Sequence, residues 1–340
     1  MIRIFVTRNI PGPGIDMLKN KGYEVDVFQK DRPITPKELK KALKYKQYDG
    51  IISLLTDSIT KEIFDVAPSI RIVSNYAVGF NNIDVKEAAA RSIAVTNTYG
   101  TSSESVAEHT IALILALMNR VVEGDVYVKK GKYTGWSPTL LWGEDFQGRT
   151  LGLIGAGKIG EKVAKFAHEG FGARVIYHDV VRNECIEREH GAQYVETIED
   201  VLKQSDVVSL HVPLLDSTYH LISTDHLKMM KPSAYIVNTS RGPVIDEVAL
   251  VDALKKGVIR GAALDVFEFE PKLARGLADL PNVVLTPHIA SSREDTRCDM
   301  SRVAAENIVD FFEGRTPKGL IANKSSSQTS VPVSNPVKIV

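Results

Sequence analysis

Gly155-Ala156-Gly157-Lys158-Ile159-Gly160 is a GxGxxG hexamer. Glycines at 155 and 157 permit a tight turn and close backbone approach to a pyrophosphate. Gly160 lets helix meet strand, and the amides of Lys158, Ile159 and their neighbours are the unpaired donors of a helix N-terminus. Alone the hexamer is weak, because glycines are common in loops. Its neighbours make it specific. The apolar run Leu151 to Ile154 precedes it as a strand, a helix from about Lys158 to Ala167 follows, and a second strand, Arg174 to His178, ends in Asp179, 19 residues past Gly160. A carboxylate there accepts hydrogen bonds from the two hydroxyls of a nucleotide ribose, and its charge opposes a 2′-phosphate. NAD is therefore expected in preference to NADP, with Arg182, three residues on, as the one feature that softens the preference.

An enzyme using such a cofactor needs one group to polarise a carbonyl and one to move a proton. Tyrosine followed four residues later by lysine, the short-chain dehydrogenase pair, is absent from all eleven tyrosines. Among eight histidines, His288 stands after the strand-like Val283 to Leu285 and Thr286-Pro287, where the carboxyl edge of an open sheet binds ligands. His211 also follows a strand, so position alone leaves the two open.

Elements able to position these groups run along most of the chain. Short β-branched runs alternate with helix-length segments from Ile2-Thr7 through Arg71-Ser74, and the rhythm restarts at Thr150 to Ile154 and continues to Val283-Leu285. Continuous apolar strands are buried on both faces, so two doubly wound α/β units with parallel sheets are expected. Between them, Ser102 or Ser103 caps a helix to about Asn119 that is apolar on more than one face and is expected to thread between the domains. A helical period from Arg293 to Glu313 is placed to return and cover the first unit, making it discontinuous.

Composition narrows the classes. At 340 residues two domains are expected, and 42 basic against 42 acidic side chains leave no net charge to attract nucleic acid or an anionic membrane. The longest apolar run, Ile111 to Met118, has eight residues where a membrane span needs ~20. Cys185 and Cys298 lie 113 positions apart, with no CxxC and no clustered histidines, so neither a disulfide framework nor a metal site is expected. The thiols and the absence of a leader-like N-terminus point to the cytoplasm. Residues 326–340, polar and Pro-punctuated, read as a tail.

Three segments carry a resemblance. Met230 to Gly242 (MKPSAYIVNTSRG), Leu264 to Pro271 (LDVFEFEP) and Thr286 to Ala290 (TPHIA) resemble the catalytic segments of the D-isomer-specific 2-hydroxyacid dehydrogenases. Asn75 to Asp84 (NYAVGFNNID) extends the likeness, which covers roughly residues 1 to 320. It implies a Rossmann NAD-binding domain, 101–289, inserted in a flavodoxin-like substrate domain, 1–100 plus 290–325. It makes Arg241 the substrate-binding arginine, Glu270 the carboxylate paired with the histidine, and His288 the acid/base. Val78 and Gly79 would offer amides to the substrate carboxylate, while Val212, Pro213, Thr218, Thr239, Ser240 and Asp265 line the cofactor. Taken singly, each of these residues also has a plain structural reading: an ion pair, a cap, a solvated loop charge.

Formate dehydrogenases of the same superfamily carry glutamine at the position of Glu270, so hydroxyacid chemistry is the better reading. His288 is followed by Ile-Ala-Ser where many relatives have a glycine. Within the family, Phe5 to Arg8 and Gly135 to Pro138 look most like glyoxylate/hydroxypyruvate reductases, with a D-lactate dehydrogenase as the neighbouring reading. The expected reaction is reduction of a small 2-keto acid to the D-2-hydroxy acid by a homodimer, whose interface is Ala107 to Met118 together with Val121 to Trp142. Two alternatives remain open: an NAD-sensing corepressor-like binding protein, and a phosphoglycerate dehydrogenase-type enzyme, disfavoured because no regulatory module follows residue 320.

Overall fold

The structure, a computed structural model, describes residues 1–322; the expected tail at 326–340 lies outside them. The chain divides into two units, Met1–Ser102 with the described residues from Ser292 onward, and Ser103–Ser291.

In the first unit β1 (Arg3–Val6), β2 (Glu24–Val27), β3 (Gly50–Leu54), β4 (Ile72–Tyr76) and β5 (Ala94–Thr96) form a parallel sheet in the order β2-β1-β3-β4-β5. That is the flavodoxin-like winding. Successive residues serve opposite faces: Phe5, Ile51, Val73 and Val95 pack on one side of the sheet, Ile4, Ile52, Ile72 and Ala94 on the other. Burial on both faces is why these strands read as unbroken apolar runs. The helix Pro36–Tyr45 begins where the local sequence says it should, with Pro36 in its first turn and Thr35 and Glu38 exchanging side-chain and backbone hydrogen bonds as a capping box.

The second unit holds β6 (Thr150–Ile154), β7 (Arg174–His178), β8 (Gln193–Tyr194), β9 (Val207–Leu210), β10 (Tyr235–Asn238), β11 (Gly261–Leu264) and β12 (Val283–Leu285), all parallel, in the order β12-β11-β10-β9-β6-β7-β8. Strand order reverses between β6 and β9, the switch point of a Rossmann sheet.

After β12 the helix Glu294–Phe312 packs on the helix Gly14–Asn20 and on β4 of the first unit. The approach is close: a Cβ on Gly14 would lie 2.3 Å from the Ser301 carbonyl oxygen. Ser74 Oγ donates to Ala304 O at 2.9 Å and Tyr76 Oη to Arg297 O at 2.8 Å. The chain then adds β13 (Leu320–Ala322) antiparallel to β5, so the first sheet is not wholly parallel. The direction of this short edge strand depends on where the preceding helix ends, which no apolar pattern reports.

The expectation for the helix Ser103–Met118 needs correcting. Its apolar faces are satisfied inside the second unit, where it packs against the helix Lys158–Phe171 and against β10, β11 and β12. Ala107, Leu113, Ile114 and Met118 join Leu151, Leu153 and Val163 in one core. Its apolarity is therefore not evidence for an interface. The exposed apolar side chains lie beyond it, at Val121, Val122, Val126, Val128, Trp136 and Trp142. No helix among the described residues is long and apolar enough to cross a membrane.

Because Ile114 is wholly buried, Ile114→Ala should cost about 2–5 kcal/mol in chemical denaturation. The loss should be the same at low and high protein concentration, as expected for packing within one chain; a cost that grows with concentration would return this helix to an interface.

Candidate active site

The glycine turn sits at the switch point. Gly155 has φ +97°, and a Cβ there would lie 2.6 Å from the His211 carbonyl oxygen and 3.1 Å from a Val212 methyl group, so only glycine lets the ends of β6 and β9 meet. A Cβ on Gly160 would lie 2.4 Å from the Gly155 carbonyl oxygen. Gly157 is the N-cap of the helix Lys158–Phe171, which opens directly on the turn and begins with Lys158 and Ile159. Asp179 faces the same place: one carboxylate oxygen accepts from Ala156 N at 2.7 Å and the other from Val181 N at 3.3 Å.

Arg182 is committed elsewhere. It donates twice to Glu187, at 2.7 and 2.6 Å, and lies over the Tyr194 ring. Hydrogen bonds from Arg182 and then from Tyr177 hold the Glu187 carboxyl down at about 2. Past β9, Thr218 Oγ1 donates to Pro213 O at 2.6 Å and accepts from Leu215 N at 2.8 Å, closing the loop that follows Val212. The residues therefore fit a dinucleotide: a turn that any Cβ would obstruct, a helix N-terminus aimed at it, and a strand-end carboxylate beside it.

Three neighbouring strands of the same sheet deliver the next groups. After β10, Asn238 folds back on its own loop, Oδ1 accepting from Ser240 N and Oγ at 2.9 and 2.7 Å while Nδ2 donates to Arg241 O at 2.9 Å. Thr239 Oγ1 lies 2.9 Å from Thr110 Oγ1 of the buried helix. Arg241 is half-buried with one guanidinium nitrogen on Ser240 O at 2.6 Å. Burial lowers its pKa from the ordinary arginine value, and the opposing influence is the charge of Glu270. The adjoining Gly242 is wedged so tightly that a Cβ would fall 1.9 Å from the Phe267 carbonyl carbon. Thus the Arg241 segment and the loop after β11 lie directly against one another.

Glu270 stands on that second loop. Its Oε1 accepts from Phe267 N at 3.0 Å, and its Oε2 is 3.2 Å from His288 Nδ1. Burial pushes the Glu270 carboxyl up, but the His288 hydrogen bond and charge, the Phe267 amide and Arg241 together hold it below the usual carboxylate range. A carboxylate can only accept, so Nδ1 carries the proton of that bond and Nε2 is the nitrogen left to work.

His288 itself has φ +55°. The turn is held by Asp265, wholly buried at the end of β11. Asp265 O accepts from His288 N at 2.8 Å, Oδ1 from Thr286 Oγ1 and Ile289 N at 2.6 and 2.8 Å, and Oδ2 from Ala290 N at 2.8 Å. Burial would raise the Asp265 carboxyl, yet hydrogen bonds from His109, Thr286 and the two amides keep it low. Both oxygens of a residue expected to line the cofactor are thus engaged by the His288 loop. His109, whose Nε2 lies 3.2 Å from Thr286 Oγ1, is a member of this cluster that sequence reasoning missed; its only signal was a histidine inside an apolar helix.

His211 is buried at the end of β9, next to Gly155, with Nε2 2.9 Å from Ser209 Oγ. Burial pushes its pKa down to about 3, so it is a neutral core histidine. In the first unit Val78 and Gly79 follow β4. Their carbonyls accept from Asn97 Nδ2 at 2.7 Å and Asn75 Nδ2 at 2.8 Å, which fixes the turn that presents their amides.

A model of the NAD binding domain of D-isomer specific 2-hydroxyacid dehydrogenases matches residues 111–290. A glyoxylate reductase of Korarchaeum cryptofilum is 47% identical over 321 residues, covering 94% of this chain and 95% of the relative. A Thermus thermophilus protein of known crystal structure has a TM-score of 0.87 at 40% identity, covering 94% of this chain and 100% of that one. The NADPH-dependent glyoxylate/hydroxypyruvate reductase of Sinorhizobium meliloti has a TM-score of 0.81 at 30% identity, covering 96% and 99%. The fold and its glycine turn define an oxidoreductase that uses a nicotinamide dinucleotide. The chain belongs to the D-isomer-specific 2-hydroxyacid dehydrogenase family.

Asp265→Asn offers the loop amides one acceptor oxygen in place of two. We expect a stability loss of about 1–3 kcal/mol in chemical denaturation, the cost of an unsatisfied buried donor, and a lower kcat in the folded fraction. Wild-type stability and turnover would remove the anchoring role.

Proposed function

We propose that this enzyme reduces a small 2-keto acid of the glyoxylate, hydroxypyruvate or pyruvate class to the D-2-hydroxy acid, with NADH as the electron donor. The observation that supports this reading best is the meeting of His288 Nδ1 with Glu270 Oε2 beside the half-buried Arg241, on loops from three adjacent parallel strands. The bound nicotinamide supplies the hydride. Arg241 presents a planar fork that holds the substrate carboxylate and polarises the adjacent carbonyl. His288 Nε2 gives its proton to the carbonyl oxygen as that oxygen becomes a hydroxyl, and Glu270 steadies the ring through Nδ1. The amides of Val78 and Gly79 are proposed as carboxylate donors, which makes the first unit the substrate domain and Ser103–Ser291 the cofactor domain.

A keto-acid panel followed by NADH oxidation tests the reading, and a folded protein that binds NADH yet turns over none of the panel would favour the corepressor-like alternative. In active enzyme, His288→Ala should lower kcat by roughly 10²- to 10⁴-fold with NADH binding retained. Arg241→Ala should damage both KM and kcat. Glu270→Gln keeps the shape but removes the charge that faces His288 Nδ1, so kcat should fall with NADH binding retained; a wild-type kcat would remove Glu270 from the mechanism.

We propose NAD over NADP because Asp179 faces the glycine turn while Arg182 is paired with Glu187. NADH should support a higher kcat/KM than NADPH, and Asp179→Ala should narrow the ratio; equal use of the two by the unaltered enzyme would overturn this. The exposed apolar side chains between Val121 and Trp142 lead us to propose a homodimer, to be checked by sedimentation at micromolar concentration, where a monomer would refute it. Cys185 and Cys298 are free thiols, which fits a cytoplasmic enzyme.

A further inference from the structure

Glu247 opens the helix Glu247–Lys255, six residues after Arg241, and is only 2% exposed. Its carboxylate faces no cation in the described structure. Instead Oε2 accepts from Glu268 N and Oε1 from Ala274 N, each at 2.6 Å. The two amides bracket the stretch that carries Glu270. The bond is returned: Glu268 Oε2 accepts from Glu247 N at 3.1 Å, and Glu268 Oε1 lies 2.7 Å from His220 Nε2. On its other side the same stretch is pressed by Gly242, next to Arg241.

We infer that Glu247 is a positioning residue for this reaction: its buried carboxylate, with Glu268 as reciprocal partner, pins both ends of the 268–274 loop and so aims Glu270 at His288. The need for a carboxylate follows from the donor set. Two N–H groups converge on two oxygens, and an amide would turn an NH2 toward one of them. A loop with one anchor lost swings on the other, and a displacement on the order of 1 Å at a catalytic group can cost about 10²-fold. The inference rests on the reading of Glu270 as the partner of His288.

The test is a cycle of Glu247→Gln, Glu270→Gln and the double variant, assayed on the full-length enzyme with glyoxylate and NADH, together with hydrogen-exchange mass spectrometry of the free protein. Glu247→Gln should lower kcat roughly tenfold with the Kd of NADH unchanged. It should also speed amide exchange across residues 267–274. In the Glu270→Gln background the same change should cost less than about twofold, because a residue that acts through Glu270 has nothing left to aim. Full tenfold loss in both backgrounds, or an unchanged rate despite faster loop exchange, overturns the inference. Unchanged loop exchange overturns it as well. If Glu270→Gln alone leaves the rate at its wild-type value, the catalytic reading of Glu270 is what fails, and the exchange data then judge the clamp separately. Should Glu247→Gln not fold, Glu268→Gln carries the same measurements from the reciprocal side, with the same direction expected and a smaller loss; wild-type exchange and rate in it count against the clamp.

Discussion

In a parallel sheet every strand hands its next residues to the same edge, and this chain depends on that one directional fact. The glycine turn follows β6, the neutral His211 and Val212 follow β9, Arg241 follows β10, Asp265 and Glu270 follow β11, and His288 follows β12. Side chains separated by more than a hundred residues of sequence become neighbours because five strands run in one direction. Burial of both faces sustains the ladders, with separate apolar cores on the two sides of the sheet. The chemistry is carried by what spills over the end.

Loops at such an edge lack a ladder of their own, and here carboxylates replace it. Asp265 gathers a hydroxyl and two amides around the His288 turn, Glu247 gathers two amides around the Glu270 loop, and Asp179 gathers the Ala156 and Val181 amides at the glycine turn. Backbone N–H groups are the common partner. A carboxylate has about four lone-pair sites and no proton to misplace, so one side chain can satisfy several loop donors that would otherwise be costly to bury. Glycine does the complementary work, as at 155 and 242, where any side chain would hold two loops apart.

Much of this was legible in the sequence. β6, β7 and β12 coincide with the runs read for them at Thr150 to Ile154, Arg174 to His178 and Val283 to Leu285. What escaped was short or depended on distant contacts. β8 has two residues, fewer than a period-two pattern needs, and β13 is a strand only through its pairing with β5. The helix Ser103–Met118 showed an apolar face too broad for solvent, but periodicity could not say whether its own sheet or another chain covered it. At the site, segment resemblance named Arg241, Glu270 and His288. It was silent on Glu247 and His109, whose parts lie in bonds to groups of remote loops that leave no local motif.

The choice between the two strand-end histidines shows why the fold was required. Both follow an apolar run, and sequence position ranks neither. His211 is sealed beneath the glycine turn, where desolvation disfavours its charged form so strongly that it stays neutral at any physiological pH. His288 lies at a left-handed backbone position, φ +55°, a conformation that costs of order 1–3 kcal/mol for a non-glycine residue and persists only where the surroundings over-determine it. Those surroundings are Asp265 with the Thr286 hydroxyl before the turn and the Ile289 and Ala290 amides after it. The strained turn sets the Nδ1 nitrogen on Glu270 and leaves Nε2 uncommitted, and the same cluster that imposes the strain keeps the ring from relaxing out of it. The proton carrier we propose is thus the histidine that the surrounding structure holds at the sheet edge.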